Sequence, residues 1–304
     1  MPAAPDPTTP TGPAAAWSLV RLLSCIRLSE VLVLQGSPLL GAVLSMGRPT
    51  AWNAAAIALV AAGSTALVAH VFVLNDWSGM HSDLRDPNRT SGLVATSGIG
   101  RGQLAGLWIA LLALSLLLLG PLGSQTLIIA LAISGLSALY SAPGVLIKGV
   151  PIINSALHFF GGVLHFLLGY SVFGPVDPRG LAIGCFFALV FVAGHLTHEA
   201  RDNDADLLNG IRTNAVTFGK ARGFAAGLVL FTVADLLLVV LAARGAVPRP
   251  LVLIAALYPL HLYWSFKALR AGLDFENIRR LQVRYRALYA AVGAIMLVSA
   301  LLVD

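Results

Sequence analysis

Two short clusters of acidic and amide residues have the side-chain types and spacing to do chemistry. Each cluster follows a very apolar segment, and together they contain seven of the 14 acidic residues in the 304-residue chain. Their principal members are Asn75, Asp76, Asp83, Asp202 and Asp206. Carboxylates are costly to place where an apolar helix meets water, and they suit hard cations that bind through oxygen. The two clusters therefore indicate a site for Mg²⁺ together with a phosphorylated ligand.

Helical spacing relates the second cluster to two histidines that precede it. Residues four apart share one face of a helix, so Asp202 and Asp206 lie one turn apart and His198 one turn earlier. His195 lies on a neighbouring line with Glu199. We expect His195 to face the cavity, where it would orient or deprotonate an acceptor hydroxyl; hydrogen bonding between helices is the alternative. A single acidic residue would be interpreted as part of a helix end exposed to water, but two matched clusters argue against that interpretation.

Apolar segments recur along the whole chain. The mean hydropathy is +0.82, 57% of residues are hydrophobic and only 11% are charged, which excludes a soluble domain. The pattern predicts an all-α integral membrane protein with about nine transmembrane helices around a central cavity. The predicted spans are 28–46, 54–76, 103–121, 124–142, 151–173, 180–200, 224–244, 250–270 and 284–303.

The N-terminal segment differs in composition from the rest. Residues 1–16 contain five prolines among small and polar residues, with neither a basic nor an apolar region of a signal peptide. We expect a disordered tail there. Residues 17–304 form one predicted membrane domain.

The distribution of Lys and Arg predicts the orientation. With nine spans, 16 of the 20 cationic residues fall on one side of the membrane, together with both acidic clusters. The positive-inside rule makes that side cytoplasmic, in the cell (inner) membrane. The net charge of +6 then reflects topology and attraction for anionic lipid or diphosphate. No motif of a nucleic-acid-binding protein is present, so nucleic acid is not an expected partner.

Three ordered motifs resemble those of the UbiA superfamily of intramembrane prenyltransferases. That family has Asn-Asp-x-x-Asp-x-x-x-Asp after a second span, and the segment from Asn75 to Asp83 is similar. It has Asp-x-x-x-Asp after a sixth span, followed by Gly, Thr and a closing Gly, as in DNDADLLNGIRTNAVTFG from Asp202. The segment YSAPGVLIK, from Tyr140 to Lys148, is similar to the family's Tyr-Ser-Pro-Pro…Lys loop.

The resemblance implies residue roles. Asn75, Asp76 and Asp83 would bind one Mg²⁺, and Asp202 and Asp206 another. The two ions neutralise the diphosphate of a prenyl donor and turn it into a leaving group. Further countercharge would come from Lys148, Arg89, Arg85 and Arg212. Substrate contacts would come from Tyr140, near the developing carbocation, and from His198; an interfacial anchoring role remains the alternative for Tyr140.

Two positions depart from the family pattern. Gly79 stands where the first motif has its middle Asp, which weakens the expected first metal site. Asn214-Ala215 stands where many members have Leu-Pro. The sequence gives Asn214 and the intramembrane Asn154 no evident role.

The predicted function is Mg²⁺-dependent transfer of a prenyl group from its diphosphate to a small acceptor, aromatic or lipid-like, at the bilayer. The alternative is a membrane terpene cyclase, in which another part of the same prenyl substrate captures the cation and no separate acceptor is used. A transporter or a lipid-binding scaffold is a different class. Transporter acids lie near the bilayer midplane on broken helices, whereas these acids lie at the ends of spans.

Overall fold

The computed structural model describes residues 21–48, 50–83, 99–141 and 147–302, and for residues 81–83 it describes the backbone only. These residues are helical, with no strand among them. The α-helices are α1 (Leu28–Leu34), α2 (Gly36–Ser45), α3 (Ala51–Asp83), α4 (Arg101–Leu119), α5 (Ser124–Ser141), α6 (Ile153–Tyr170), α7 (Pro178–Leu208), α8 (Asn214–Phe218), α9 (Lys220–Ala243), α10 (Tyr258–Arg270) and α11 (Phe275–Leu302). Short 3₁₀ segments cover Gly120–Leu122, Ile147–Gly149 and Arg249–Ala256.

Eight helical stretches of the described chain are long and apolar enough to cross a membrane. They confirm the prediction of an all-α membrane protein. The predicted span at 151–173, which corresponds to α6, is not among the eight. It contains Asn154, His158 and His165 and packs against α2, α5 and α7. The count of nine is therefore approximate, because α6 carries polar side chains directed to its neighbours.

Two predicted spans contain interruptions. The span at 28–46 is divided at Gln35 into α1 and α2. The Gln35 amide donates to the Val31 carbonyl at 2.9 Å, and its side chain also bonds Ser64 on α3. The span at 250–270 begins as a 3₁₀ segment before α10. Pro250 and Pro259 lie at the starts of these two elements, where their missing N–H groups cost least.

Glycines allow α2 and α6 to approach at backbone contact. A Cβ on Gly169 would lie 1.7 Å from the Pro38 carbonyl oxygen, and one on Gly41 would lie 2.3 Å from that of Phe166. No side chain fits at either position. Small residues at such crossings are typical of helix packing in membranes.

Neighbouring long helices run antiparallel. On α3 and α4, the Arg101 guanidinium lies 4.6 Å from the Trp77 ring centre, while Gly63 packs against Leu119. In the same way, the end of α5 contacts the start of α6, and the start of α6 contacts the second half of α7. The C-terminal ends of α3, α5 and α7 therefore lie at one end of the bundle, together with the starts of α4 and α6. We call this end, which carries both acidic clusters, the motif end.

Candidate active site at the motif end

The second acidic motif lies on the last two turns of α7. Asp202 forms a two-pronged ion pair with Arg201, with Nε at 2.6 Å from Oδ1 and Nη2 at 2.9 Å from Oδ2. The Arg201 Nη1 donates to Gln282 Oε1 on α11 at 2.7 Å. The guanidinium thus neutralises the Asp202 carboxylate and ties α7 to α11.

Asp206 follows one turn later and is partly buried. The ammonium of Lys148 and the carboxylate of Asp202 are close enough to act electrostatically on the Asp206 carboxylate, and the Thr213 hydroxyl lies beside it. The structure therefore brings Lys148 to the second motif, as the resemblance implies. Arg212 lies in the connection after α7 with an exposed side chain.

The first motif lies on the last turns of α3. Asp76 is almost fully buried and accepts hydrogen bonds from Nε of Arg27, at 3.0 Å, and from its Nη2. Asn75 is half-buried. Gly79, one turn after Asn75, contributes no carboxylate. The side chain of Asp83 and the whole of Arg85 and Arg89 lie outside the described residues.

One path of contacts joins the motifs through α5 and α6. The Ser78 hydroxyl on α3 donates to the Ser141 carbonyl at the end of α5. The adjacent Tyr140 ring meets His158 of α6 edge-on, with ring centres 5.0 Å apart. His158 in turn stacks on His195 of α7 at 3.6 Å. Tyr140 and His195 therefore belong to the same cluster.

A second path joins the motifs through α1 and α11. The Arg27 that pairs with Asp76 immediately precedes α1. Glu30 on α1 lies 3.6 Å from Nη2 of Arg286 on α11. That Nη2 donates to Nε2 of His198, one turn before Asp202, at 3.1 Å. His198 is thus linked to a cation, and two separate paths of contacts join the motifs.

Glu199 connects the histidines to a buried amide cluster that the sequence did not reveal. Its Oε1 lies 3.1 Å from Nε2 of His195, outside hydrogen-bond geometry. The same Oε1 accepts from Asn154 at 2.7 Å, and Oε2 lies 3.0 Å from the Asn214 amide nitrogen. The available signals were an acidic residue inside an apolar span and the departure at Asn214.

The donor set fits a divalent cation at the second motif. Asp202 and Asp206 supply carboxylate oxygens one turn apart, the ligand type that Mg²⁺ prefers. Within the described part of the chain no group of three or more His, Cys, Asp or Glu side chains could hold a metal unaided. A bound cation would therefore need ligands from a diphosphate and from water. At the first motif, Arg27 already neutralises Asp76.

A membrane bundle with aspartate motifs at one end is the architecture of an intramembrane prenyltransferase. The sequence profile of the UbiA prenyltransferase family matches residues 37–301, so the chain belongs to this family. The family prediction is confirmed. No curated protein matched the sequence.

Solved structures share the fold at low sequence identity. A UbiA homologue from Archaeoglobus fulgidus bound to DMAPP and Mg²⁺ is 18% identical, with a TM-score of 0.69 over 90% of this chain and 99% of that one. A digeranylgeranylglyceryl phosphate synthase is also 18% identical, with a TM-score of 0.70 over 93% and 98%. An apo UbiA homologue from Aeropyrum pernix K1 is 17% identical, with a TM-score of 0.66 over 89% and 98%.

Proposed function

We propose that this chain transfers a prenyl group from a prenyl diphosphate to a small acceptor, with Mg²⁺ bound at the motif end. The observation that carries the proposal is that the Lys148 ammonium lies within electrostatic range of Asp206, on the helix of the second motif. A cationic side chain next to metal-binding carboxylates suits a diphosphate, because its negative charge must be neutralised both for binding and for departure as a leaving group. The DMAPP and GPP bound to the relatives from Archaeoglobus fulgidus support this class of donor.

In this proposal Asp202 and Asp206 hold the metal, and Asn75, Asp76 and Asp83 contribute from the first motif. Bound Mg²⁺ supplies charge neutralisation that makes diphosphate a better leaving group. Lys148 adds a fixed positive charge on the leaving oxygens. Further countercharge would come from Arg85, Arg89 and the exposed Arg212.

The reaction breaks the bond between the allylic carbon and its diphosphate oxygen, and the electron pair leaves with the diphosphate. A new bond forms between that carbon and the acceptor, which loses a proton. We assign the proton to the imidazole of His195, because Glu199 lies 3.1 Å away and would stabilise the cationic ring. Tyr140 would face the allylic cation from the same cluster. His198, linked to Arg286, would line the opposite wall.

The proposal is tested with purified protein in lipid. We expect DMAPP or GPP to be consumed with Mg²⁺ only when a suitable aromatic or lipid-like acceptor is present, with one prenylated product detected by mass spectrometry. The same amount of cyclic hydrocarbon with and without acceptor would contradict transfer and indicate a terpene cyclase. No consumption of any prenyl diphosphate across acceptors would contradict both.

We further propose that the motif end faces the cytoplasm of the cell membrane, from the excess of Lys and Arg on that side. In a variant lacking Cys25 and Cys185, a cysteine at Asn209 should resist an impermeant thiol reagent added outside intact cells. It should react once the membrane is opened. Labelling at the same rate in intact cells would contradict this orientation.

A further inference from the structure

The segment that carries Lys148 joins α6 through a strained turn. Ile152 has φ 65° and ψ −50°, and the Ile153 N–H donates to the Pro151 carbonyl at 2.7 Å. Together these describe a γ-turn of the rarer, strained kind. A β-branched residue at positive φ is an outlier. Such a conformation persists only where the surroundings hold it, and it clusters at functional sites.

Asn214 is the residue that holds the turn. It is buried at the first position of α8, and its side-chain oxygen accepts the Ile152 N–H at 2.7 Å. Its amide nitrogen lies 2.9 Å from Asn154 Oδ1 and 3.0 Å from Glu199 Oε2. An amide supplies one acceptor oxygen and two donor hydrogens. Leucine, which many family members have here, could make none of these three bonds.

Asn154 and Glu199 extend this arrangement to Lys148. The Asn154 amide donates to the Lys148 carbonyl at 3.2 Å as well as to Glu199 Oε1 at 2.7 Å. The backbone N–H of Asn214 donates to Glu199 Oε2 at 3.1 Å. We call these three residues (Asn154, Glu199 and Asn214) the amide–carboxylate clamp. It joins the Lys148 segment to α7, the helix that carries Asp202 and Asp206.

A backbone contact fixes the same segment from another direction. A Cβ on Gly149 would lie 3.8 Å from the Arg212 backbone nitrogen, so the segment rests on the connection that follows the second motif. The clamp therefore holds the Lys148 backbone, and the connection after α7 lies beside it. Its side chain is the part left to reach Asp206 and any ligand there.

We propose that the clamp positions Lys148 for the diphosphate, and that Asn214 is a positioning residue acting through Lys148. The buried bonds keep the strained turn in one conformation, so the Lys148 backbone, from which the side chain reaches the ligand, does not have to be ordered when the ligand binds. The inference rests on the proposed function for its ligand. Its geometric content, that Asn214 holds segment 147–153, is independent of the reaction.

The kinetic test is a double-mutant cycle in the full-length protein. Asn214→Leu is expected to lower kcat/KM for the prenyl diphosphate about tenfold or more, chiefly by raising KM, as loss of a supporting contact does at other sites. Lys148→Ala should give a similar loss. If Asn214 acts through Lys148, the kcat/KM of the double variant should be no lower than that of the more impaired single variant. Losses that multiply would overturn the proposal.

Asn209→Leu is the matched control. Asn209 lies in the connection between α7 and α8, and its amide donates to the Ala205 carbonyl of α7, outside the clamp. We expect kcat/KM within about twofold of the wild-type value, as for a substitution away from special features. An equal loss in this control would show that any apolar change in the connection disturbs the site, which contradicts a specific role for Asn214.

Hydrogen exchange tests the clamp without any turnover. In Asn214→Leu, or in Asn214→Ala if the leucine variant does not fold, amides 147–153 should exchange at least about tenfold faster than in the wild type. Exchange in α9 should be unchanged. Unchanged exchange in 147–153 would overturn the clamp. Faster exchange in a protein whose wild type transfers no prenyl group would support the clamp and contradict the proposed function alone.

Discussion

The two acidic motifs occupy equivalent helix ends but differ in what surrounds their carboxylates. At the first motif, Asp76 is almost fully buried and held by Arg27, a residue from outside its own helix. At the second motif, Asp206 is partly buried beside Lys148. The first motif has replaced one carboxylate by Gly79, whereas the second keeps both. Each motif has one carboxylate paired with an arginine, Asp76 with Arg27 and Asp202 with Arg201. The motifs differ in the remaining carboxylate, and on that difference we propose that the second motif carries the greater share of cation binding.

The largest effect is expected at the second motif. Asp202→Ala or Asp206→Ala should lower kcat about 10³-fold, because loss of a metal ligand removes several kcal/mol of charge stabilisation at the leaving group. Steady-state turnover at saturating donor measures this. Asp204→Ala is the control, since Asp204 is exposed on the same helix; it should remain near wild type. Comparable losses of kcat in all three variants would contradict a specific role of Asp202 and Asp206 as metal ligands, because any acidic residue at this helix end would then have the same effect.

A smaller loss is expected when the proton acceptor beside the second motif is removed. His195→Gln should lower kcat about 10²-fold with little change in donor KM, because general-base assistance acts on the acceptor. His165→Gln changes a histidine on α6 whose Nε2 has no hydrogen-bond partner, and it serves as the control. If His195→Gln keeps the wild-type kcat, His195 is not the proton acceptor and its role is in helix packing.

At the first motif, substitutions in the ion pair of Arg27 and Asp76 should change the stability of the protein as well as kcat. Asp76→Ala should lower kcat about 10- to 100-fold, less than Asp202→Ala. Arg27→Gln removes the guanidinium that donates two hydrogen bonds to a buried carboxylate, so stability should fall by about 1–3 kcal/mol. Thermal unfolding in detergent measures the change. The double variant should recover part of that loss. Equal kinetic losses at Asp76 and Asp202 would make the motifs equivalent and contradict the asymmetry.

The smallest effect is expected from restoring the carboxylate that the first motif lacks. Gly79→Asp places an acid one turn before Asp83. It should lower the Mg²⁺ concentration for half-maximal activity a few-fold while the product stays the same. A Mg²⁺ titration of both proteins is the measurement. An unchanged midpoint with loss of product would show instead that Gly79 leaves room for a substrate.

Much of the fold followed from the sequence because bilayer thickness fixes the length of apolar helices. The division at Gln35 was not predicted, although Pro38 marks it: proline is tolerated in the first turn of a helix and not in its interior. The span at α6 was marginal by hydropathy because Asn154 and two histidines lie in it. Their role becomes visible only when α7 is packed against them.

Residue type and spacing were enough to place Asp202 and Asp206 one turn apart near the end of one helix, as the structure has them; their role in binding a cation stays a proposal. The amide–carboxylate clamp was not predictable, because its members are far apart in the chain and an Asn in place of Leu carries no intrinsic meaning. The pairing of Asp76 with Arg27 spans 49 positions. No helical periodicity connects such residues; tertiary packing alone does.

The most direct measurement of the central claim is calorimetric binding of an unreactive thiolodiphosphate analogue of GPP. With Mg²⁺, the wild type should bind the analogue, and without Mg²⁺ the affinity should fall at least about 100-fold. Asp206→Ala should show the weak affinity at every Mg²⁺ concentration, while Asp204→Ala should match the wild type. Equal, Mg²⁺-dependent affinity in the wild type and Asp206→Ala would contradict the assignment of the cation and the diphosphate to the second motif.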